Sequence, residues 1–308
     1  MISESVTLVV TPYSSILDLS TNLGVVGSAT AGGWGNENIP DLPFYTTAIA
    51  DEYVAYVTLG DGEIKFRKDN LWTENFGDTG ADGTLEANGD NIAVSAGTYK
   101  ITVNMANMSY TIEPYMWGLV GSATPSGWSA PDVMLHYNSF SDDWRTVITL
   151  VDGEAKFRFN EDWGINYGDT GVDGILEANG DNISVSAGHY LVIFNLNTLE
   201  YSLEEMDVLG LVGSATANGW DGPNQKFIPD FGINEGFYYI NGAQLNDGEI
   251  KVRQNDAWAL NYGSSSYNSA STTNDMDIDG SNIPVTAGTY NIILDFSGAT
   301  PKITLYPW

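Results

Sequence analysis

The chain repeats one short stretch three times, as DGEIKFR at residues 61–67, DGEAKFR at 152–158 and DGEIKVR at 247–253. A tryptophan follows each copy five residues later, at Trp72, Trp163 and Trp258. Apolar residues alternate with Glu, Lys and Arg, which is the pattern of a β-strand with one face in a core. Six of the 11 Lys and Arg residues of the chain lie in these copies. Scarce cations that recur in one frame indicate a function for the polar face of the strand.

A second motif shows that the copies belong to a longer repeat. GVVGSAT at residues 24–30 and GLVGSAT at 118–124 and 210–216 lead to Trp34, Trp128 and Trp220. The starts at 24, 118 and 210 are 94 and 92 residues apart, so the unit is a small domain rather than a solenoid repeat. Several short strand signals between Gly, Asn and Asp turns, without helical periodicity, predict an immunoglobulin-like antiparallel β-sandwich in each repeat.

We therefore divide the chain into three tandem modules, at residues 22–114, 115–206 and 207–308. Only a few residues link them, which predicts a fairly rigid rod. Residues 1–21 lie outside the repeat, and residues 5–10 (SVTLVV) have the composition of a strand. Because a lone strand does not fold by itself, we expect residues 1–21 to be the remnant of an upstream domain or a linker, or an edge strand of the first module.

The charge of the chain limits its partners. The formal net charge is −29 and the sequence pI is about 4.1, which excludes nucleic acid and disfavours anionic lipids and polyanionic glycans. A neutral polymer or a divalent cation remains compatible with this charge. The chain has no cysteine, so neither disulfides nor thiolate metal sites are available. It also lacks the run of about 18 apolar residues that a membrane-spanning helix needs.

The repeated tryptophans and cations together suggest a carbohydrate site in each module. Flat indole rings beside Gly, Asn and Asp suit stacking on the C–H face of a pyranose, and Lys and Arg supply donors for its hydroxyls. Two alternatives stay open. The cations could pair with neighbouring acids as a solvated ladder, and one or both tryptophans of a pair could close the end of a sandwich core.

The acidic loop from Asp78 to Asp90 raises the question of calcium. It lacks the Asp-x-Asp-x-Asp-Gly spacing of an EF-hand loop, so we predict an acidic turn, with no metal site and no cofactor. In the third repeat this region is different. After the Asn261-Tyr262-Gly263 motif comes a Ser/Asn-rich loop, five residues longer than its counterpart (263 to 282 against 77 to 91). We expect the third module to bind differently or not at all.

Catalysis finds little support in the sequence. The two histidines, His136 and His189, are not repeated, and without cysteine a His-based nucleophile has little to build on. Paired carboxylates of a glycosidase are compatible with the composition, but three small copies of one module favour binding. We predict a non-catalytic protein.

The combined run GLVGSAT…GW, DGExKxR…W…NYG, GDNI and AGTY resembles the repeated carbohydrate-binding modules of SusE/SusF-type proteins, over roughly residues 22–308. These are outer-membrane surface lipoproteins of glycan-foraging Gram-negative bacteria. The resemblance implies a non-catalytic protein at the extracellular face that captures a neutral glucan for uptake beside a SusC/SusD-like transporter complex. The glucan would be a starch-like α-glucan or a laminarin-like β-glucan, the latter suggested by the strong acidity.

Family members begin with a lipidated Cys and an immunoglobulin-like domain, neither of which is present here, and the start of the chain is similar to the end of that domain. A membrane would be reached only through such a lipid anchor. Carried over position by position, the family pattern of aromatic platforms with a cation implies these site residues: Trp34, Lys65, Arg67 and Trp72; Trp128, Lys156, Arg158 and Trp163; Trp220, Lys251, Arg253 and Trp258. The competing function is a structural or adhesive array of acidic β-sandwiches, stiffened by calcium, without a glycan ligand.

Overall fold

All regular structure is β-strand in the part of the chain that the computed structural model describes, residues 19–35, 39–231 and 235–307. The predicted all-β class is therefore confirmed. The strand expected at residues 5–10 lies outside the described residues. Within the described ranges, no helix has the length and apolar character needed to cross a membrane.

Several strands of each repeat have only two or three residues. The first repeat contains β1 (Ser20–Val26), β2 (Leu42–Thr46), β3 (Glu52–Leu59), β4 (Gly62–Lys68), β5 (Asn75–Gly77), β6 (Glu86–Ala87), β7 (Ile92–Val94), β8 (Gly97–Asn104) and β9 (Ser109–Pro114). The second contains β10 (Trp117–Val120), β11 (Val133–Met134), β12 (His136–Asn138), β13 (Asp143–Leu150), β14 (Gly153–Phe159), β15 (Asp162–Gly168), β16 (Glu177–Ala178), β17 (Ile183–Val185), β18 (Gly188–Phe194) and β19 (Tyr201–Glu205). The third contains β20 (Leu209–Val212), β21 (Gln225–Lys226), β22 (Ile228–Pro229), β23 (Phe237–Leu245), β24 (Gly248–Gln254), β25 (Asn261–Gly263), β26 (Thr273–Asp275), β27 (Asp277–Ile278), β28 (Ile283–Val285), β29 (Gly288–Asp295) and β30 (Lys302–Pro307).

Each repeat is a sandwich of two antiparallel layers. In the second repeat the layers are β11-β10-β14-β15-β16, with β17 beside β14, and β12-β13-β18-β19. In the third they are β21-β20-β24-β25-β27, with β28 beside β24, and β22-β23-β29-β30-β26. In the first repeat, β2 pairs with both β1 and β3, which joins the layers into the path β6-β5-β4-β1-β2-β3-β8-β9. We call the layer that holds the repeated motif (β4, β14 or β24) the motif sheet and the other layer the second sheet.

One hydrophobic core fills the space between the two sheets of each repeat. In the first, Val25 and Ile64 of the motif sheet pack with Val57 and Ile101 of the second sheet. The second and third repeats have cores of the same construction. Where the chain crosses from the motif sheet to the second sheet it buries one large apolar residue: Phe44, Leu135 or Phe227.

The repeated motif forms the central strand of the motif sheet. β4 pairs with β1 on one side, and on the other with β7 along residues 62–64 and with β5 along Phe66 and Arg67. Ile64 and Phe66 are fully buried in the core, which confirms the predicted alternation. Lys65 and Arg67 therefore extend from the opposite face of the strand.

The repeats also contact one another. Between the first and second, the Tyr56 ring centroid lies 4.7 Å from that of Tyr137 and 4.8 Å from that of Trp144. Between the second and third, the Thr149 hydroxyl donates to Asp256 Oδ2 at 2.8 Å. Burial is the main cause that raises the pKa of Tyr56 and of Tyr137, so both phenols stay protonated. The domain boundaries and the rod arrangement remain predictions, although β1 begins at Ser20, two residues before the expected boundary.

Candidate functional site

Each repeat carries a pair of tilted tryptophan rings that the solvent can reach. The ring centroids of Trp34 and Trp72 are 6.1 Å apart and the rings are inclined by 37°. The pairs Trp128–Trp163 and Trp220–Trp258 have values of 6.0 Å and 41°, and of 5.9 Å and 39°. The second ring of each pair is exposed and the first is exposed or half-buried. The structure thus brings both predicted tryptophans of each repeat together, outside the hydrophobic cores.

A tight glycine turn positions the first tryptophan of each pair. Gly27 has φ +150°, and a Cβ at this residue would lie 2.1 Å from the carbonyl oxygen of Glu63, so the GSAT motif requires glycine here. The Gly27 amide donates to Gly33 O at 2.9 Å, and the Thr30 hydroxyl donates to Gly27 O at 2.9 Å. Thr124 and Thr216 make the equivalent bonds in the other repeats. The turn fixes the backbone immediately before the ring.

A hairpin between the motif strand and the next strand positions the second tryptophan. Both of its turn residues have positive φ, as at Asp69 and Asn70 (56° each), which is the geometry of a two-residue type I′ turn. The Asn75 side-chain amide then donates to Trp72 O at 3.0 Å and to Asn88 Oδ1 at 2.9 Å. Asn166 and Asn261 hold Trp163 and Trp258 in the same way. These Asn residues thus fix the backbone of the turn that carries the second tryptophan.

The arginine of the motif lies behind the second tryptophan. Arg67 Cζ is 4.7 Å from the Trp72 ring centroid, and the distances for Arg158–Trp163 and Arg253–Trp258 are 4.6 and 4.7 Å. All three guanidinium groups belong to buried residues. Each arginine therefore supports an indole ring by a cation–π contact, rather than projecting into solvent as a free hydrogen-bond donor.

A carboxylate neutralises this arginine in the first two repeats. Arg67 donates from Nε and Nη2 to Asp41 at 2.6 and 2.8 Å, and Arg158 donates to Asp132 at 2.7 and 2.6 Å. Both pairs are buried and bidentate, the strongest geometry for such an ion pair. The hydrogen bonds to Asp132 raise the pKa of Arg158. The alternative of a solvated ladder of charges does not describe these arginines.

The lysine of the motif ties the strand to the acidic loop in the first two repeats. Lys65 Nζ donates to Gly89 O at 2.6 Å, and Lys156 Nζ donates to Gly180 O at 2.7 Å. Burial lowers the pKa of both lysines, and the nearby Asp90 and Asp181 carboxylates oppose this shift. Whether Lys65 and Lys156 contact a ligand stays a prediction.

The third repeat keeps the aromatic pair and changes the charges beneath it. Asn224 replaces the aspartate, and Arg253 donates to Asn224 Oδ1 and to the backbone oxygens of Trp220 and Asp221. Ser281 stands where Asp90 and Asp181 face the lysines. Among the described residues, Lys251 has no hydrogen bond or ion pair.

Comparison with known proteins bears on the first of these sites. Residues 22–112 match the SusF/SusE family of starch-specific carbohydrate-binding modules. The resemblance is thereby confirmed for the first repeat. The crystal structure of SusF from Bacteroides thetaiotaomicron aligns with 95% of this chain and 73% of its own, at 17% sequence identity and a TM-score of 0.25. No curated protein gives a significant sequence match.

Sequence reasoning missed the partners of the arginines in the SusF/SusE-type repeat and in the second repeat. Asp41 and Asp132 were not among the predicted site residues. A signal was present, since a Pro-Asp pair stands 26 residues before the arginine in both repeats (41 to 67 and 132 to 158). In the third repeat the pair is Pro-Asn and stands 29 residues before the arginine (224 to 253). This different spacing makes it hard to recognise Asn224 as the counterpart of Asp41 and Asp132.

The acidic loop of the SusF/SusE-type repeat is organised by hydrogen bonds around one aspartate. Asp78 accepts from the amides of Gly80, Asp82 and Gly83 and from the Tyr110 hydroxyl. Burial raises the pKa of this carboxyl, but these hydrogen bonds outweigh it and leave the pKa below its ordinary value. In the described residues, no group of three or more acidic or histidine side chains is arranged to hold a metal ion.

The histidines belong to other parts of the second repeat. Burial lowers the pKa of His136 to about 4, so it is neutral. His189 Nδ1 lies 2.8 Å from the Thr149 hydroxyl, which itself donates to Asp256. Threonine stands between the histidine and the aspartate here, whereas a nucleophile triad places histidine in the middle.

Proposed function

We propose that the chain is a non-catalytic glycan-binding protein with one binding site on the tryptophan pair of each repeat. The observation that carries this proposal is the recurrence of two solvent-accessible indole rings, 5.9–6.1 Å apart and tilted by 37–41°, in three repeats. Rings of this kind stack on the C–H faces of sugars. The buried Arg67, Arg158 and Arg253 hold the second rings in place.

The ligand of the first two sites is a neutral glucan, with a starch-like α-glucan as the main candidate. Two points support this choice. The matching family is described as starch specific, and two tilted rings suit a polysaccharide in which each sugar is rotated relative to the one before it. In addition, Arg67 and Arg158 are neutralised by Asp41 and Asp132, and Asp90 and Asp181 lie near Lys65 and Lys156, so these sites offer little net positive charge to an acidic sugar. A laminarin-like β-glucan is the alternative that the experiment below distinguishes.

We propose further that the protein works at the extracellular face of the outer membrane and hands its glycan to a SusC/SusD-like transporter complex. This part rests on the family resemblance. A single shallow site of this kind has a Kd on the order of 1 mM, or about −4 kcal/mol. Three linked sites on one polymer raise the avidity about 10²–10⁴-fold where the geometry allows simultaneous contact, so weak sites suffice to retain a polysaccharide.

The test is native affinity electrophoresis of the full chain in gels that contain starch or laminarin. We expect starch to retard the protein, and the triple variant Trp72→Ala, Trp163→Ala, Trp258→Ala to migrate as in an empty gel. Each single variant should weaken its own site about tenfold or more, because one aromatic stacking partner is lost. Leu71→Ala is the matched control, since Leu71 is an exposed apolar neighbour of Trp72 and should leave retention unchanged.

The same gels decide against the competing functions. Retardation by laminarin and not by starch would replace the α-glucan by the β-glucan. Unchanged retardation of the triple variant would refute the tryptophan sites. The structural or adhesive array predicts no retardation by any polysaccharide, together with a melting temperature that rises with calcium.

A further inference from the structure

The charges beneath the third tryptophan pair are paired differently from those beneath the first two. In the first site, Lys65 and Arg67 are matched by Asp90 and Asp41. In the second, Lys156 and Arg158 are matched by Asp181 and Asp132, and Glu161 and Asp162 add further negative charge near Arg158. The residues beneath the tryptophan rings of the first two sites therefore carry balanced or net negative charge.

The third site has lost both matching carboxylates and gained a cation. Asn224 replaces the partner of the arginine, and Ser281 replaces the acid that faces the lysine. Lys226 is present in addition and pairs with Asp256, and among the described residues neither Lys251 nor Arg253 forms an ion pair with a carboxylate. Two exposed carboxylates lie at the edge of this site. The backbone oxygen of Asp221 is 3.1 Å from Arg253 Nη2, and Asp279, which replaces Asn88 and Asn179 of the other repeats, accepts from Asn261 Nδ2 at 2.7 Å.

Two buried polar atoms support the same conclusion. Within the described part of the chain, the Asn224 Nδ2 donor is buried without a hydrogen-bond partner, and so is the hydroxyl of Ser264. Ser264 occupies the position of Asp78 and Asp169 in the other repeats. The unused donor of Asn224 lies beside Arg253, and a free donor next to a cation without an ion pair favours an acceptor that carries negative charge.

We propose that the third site takes a negatively charged sugar, a residue with a carboxylate or sulfate group, whereas the first two take neutral sugars. The proposal rests on the glycan-binding function of the tryptophan pairs. Trp220 and Trp258 provide the stacking surface. Lys251, which is half-buried and has no partner among the described residues, provides the charge-assisted hydrogen bond, and the buried Arg253 adds a positive potential behind the ring.

The net charge of −29 does not prevent such a ligand from binding locally. At physiological ionic strength the Debye length is about 8 Å, so acids elsewhere on the chain are largely screened from a sugar in the third site. The nearest groups then decide the interaction. The overall charge slows the approach of a polyanion, and this effect also weakens with added salt.

The experiment separates the sites within the full chain. Trp72→Ala with Trp163→Ala leaves the third site, and Trp258→Ala leaves the first two. Calorimetry then compares starch and laminarin oligosaccharides with the same oligosaccharides oxidised at C6 to uronates, and with their sulfated forms. We expect the third site to bind a charged form about tenfold or more tightly than the neutral one, the gain of one charged hydrogen bond. The preference should fall as salt shortens the Debye length from about 10 Å to about 3 Å.

Two further variants of the third-site protein test the cause. Asn224→Asp with Ser281→Asp restores both carboxylates and should remove the preference. Lys251→Met, at a partly exposed side chain without partners, should reduce it with the fold intact, and Asp221→Asn should increase it. Equal affinity for neutral and charged forms, or no binding of either by the third site, would overturn the inference. Binding of neutral oligosaccharide by the first two sites is read separately, so its loss would refute the proposed function instead.

Discussion

The second and third sites have the same arrangement of tryptophan rings, but the residues that bind the arginine beneath the rings are different. The ring pairs differ by only 0.1 Å in separation and 2° in tilt (6.0 against 5.9 Å and 41° against 39°). Yet Arg158 is held by a carboxylate and Arg253 by an amide and two backbone oxygens. The backbone turns therefore fix the shape of the platform, and the residues beneath set its charge. Shape and charge vary independently in this molecule.

The largest expected difference between the two sites concerns stability. Asp132→Ala leaves Arg158 buried without a counter-charge, and removal of one partner of a buried ion pair destabilises by about 3–5 kcal/mol. Asn224→Ala removes the hydrogen bonds of a neutral amide to Arg253, which keeps its bonds to two backbone oxygens, and should destabilise by about 1–3 kcal/mol. Hydrogen exchange of the full chain, measured separately on β14 and β24, gives both values.

Asp132→Asn is the control that gives the second site the chemistry of the third without changing its shape. Its effect should lie between those of the two alanine variants. Equal losses from Asp132→Ala and Asn224→Ala would contradict the distinction between a paired and an unpaired arginine.

A smaller and local difference should appear at acid pH. Burial raises the pKa of Asp78 and Asp169, but amide and tyrosine hydrogen bonds outweigh it and lower the pKa below the ordinary value. Such a group stabilises the fold above its unfolded pKa of about 3.9, and the stabilisation is lost as pH falls through the folded pKa. We expect the loops at residues 78–83 and 169–174 to lose exchange protection there.

The third repeat has Ser264 at this position, so its loop lacks this titration. Exchange of the Gly83 and Gly174 amides, followed from neutral to acid pH, measures the effect. In Asp78→Asn the Gly83 amide should lose its pH dependence while that of Gly174 keeps it. A pH dependence that survives at Gly83 in this variant would assign the effect to another group.

The smallest difference concerns the lysines. Lys65→Met removes the hydrogen bond to Gly89 O, while burial of the charge, which lowers the pKa of Lys65, offsets part of that bond, for a net loss of about 1 kcal/mol. Lys251→Met removes no such bond and should change stability by less than about 0.5 kcal/mol. Exchange in residues 86–91 and 277–282 measures both, and a larger loss at Lys251 would show that it has a structural partner.

Much of this architecture could be predicted because it depends on local sequence patterns. Alternation in the motif places Ile64 in the core and Arg67 on the other face of the same strand, since side chains on a strand alternate with period two. The two tryptophan positions recur at fixed offsets from two motifs, so one repeat confirms another. Local sequence also explains the turns, through Gly27 and the Asn residue after each second tryptophan.

The parts that escaped prediction depend on pairing between distant strands. The recurring Pro-Asp pair marks Asp41, but no local pattern identifies it as the partner of Arg67 among 40 acidic residues, because the pairing depends on where the chain crosses between sheets. The Ser/Asn-rich loop of the third repeat also contains β26, which pairs with β30. Its composition is that of a loop, and only the exposed edge of β30 makes it a strand.

The crossing between the sheets has a consequence for how such repeats diverge after duplication. Asp41, Asp132 and Asn224 each stand three residues before the buried crossing residue, Phe44, Leu135 or Phe227. Two residues that are close in sequence thus have separate roles: one closes the hydrophobic core and the other sets the charge of the site. A copied repeat can exchange an acid for an amide at this position and acquire a new ligand class, while the selective constraint on its core stays the same.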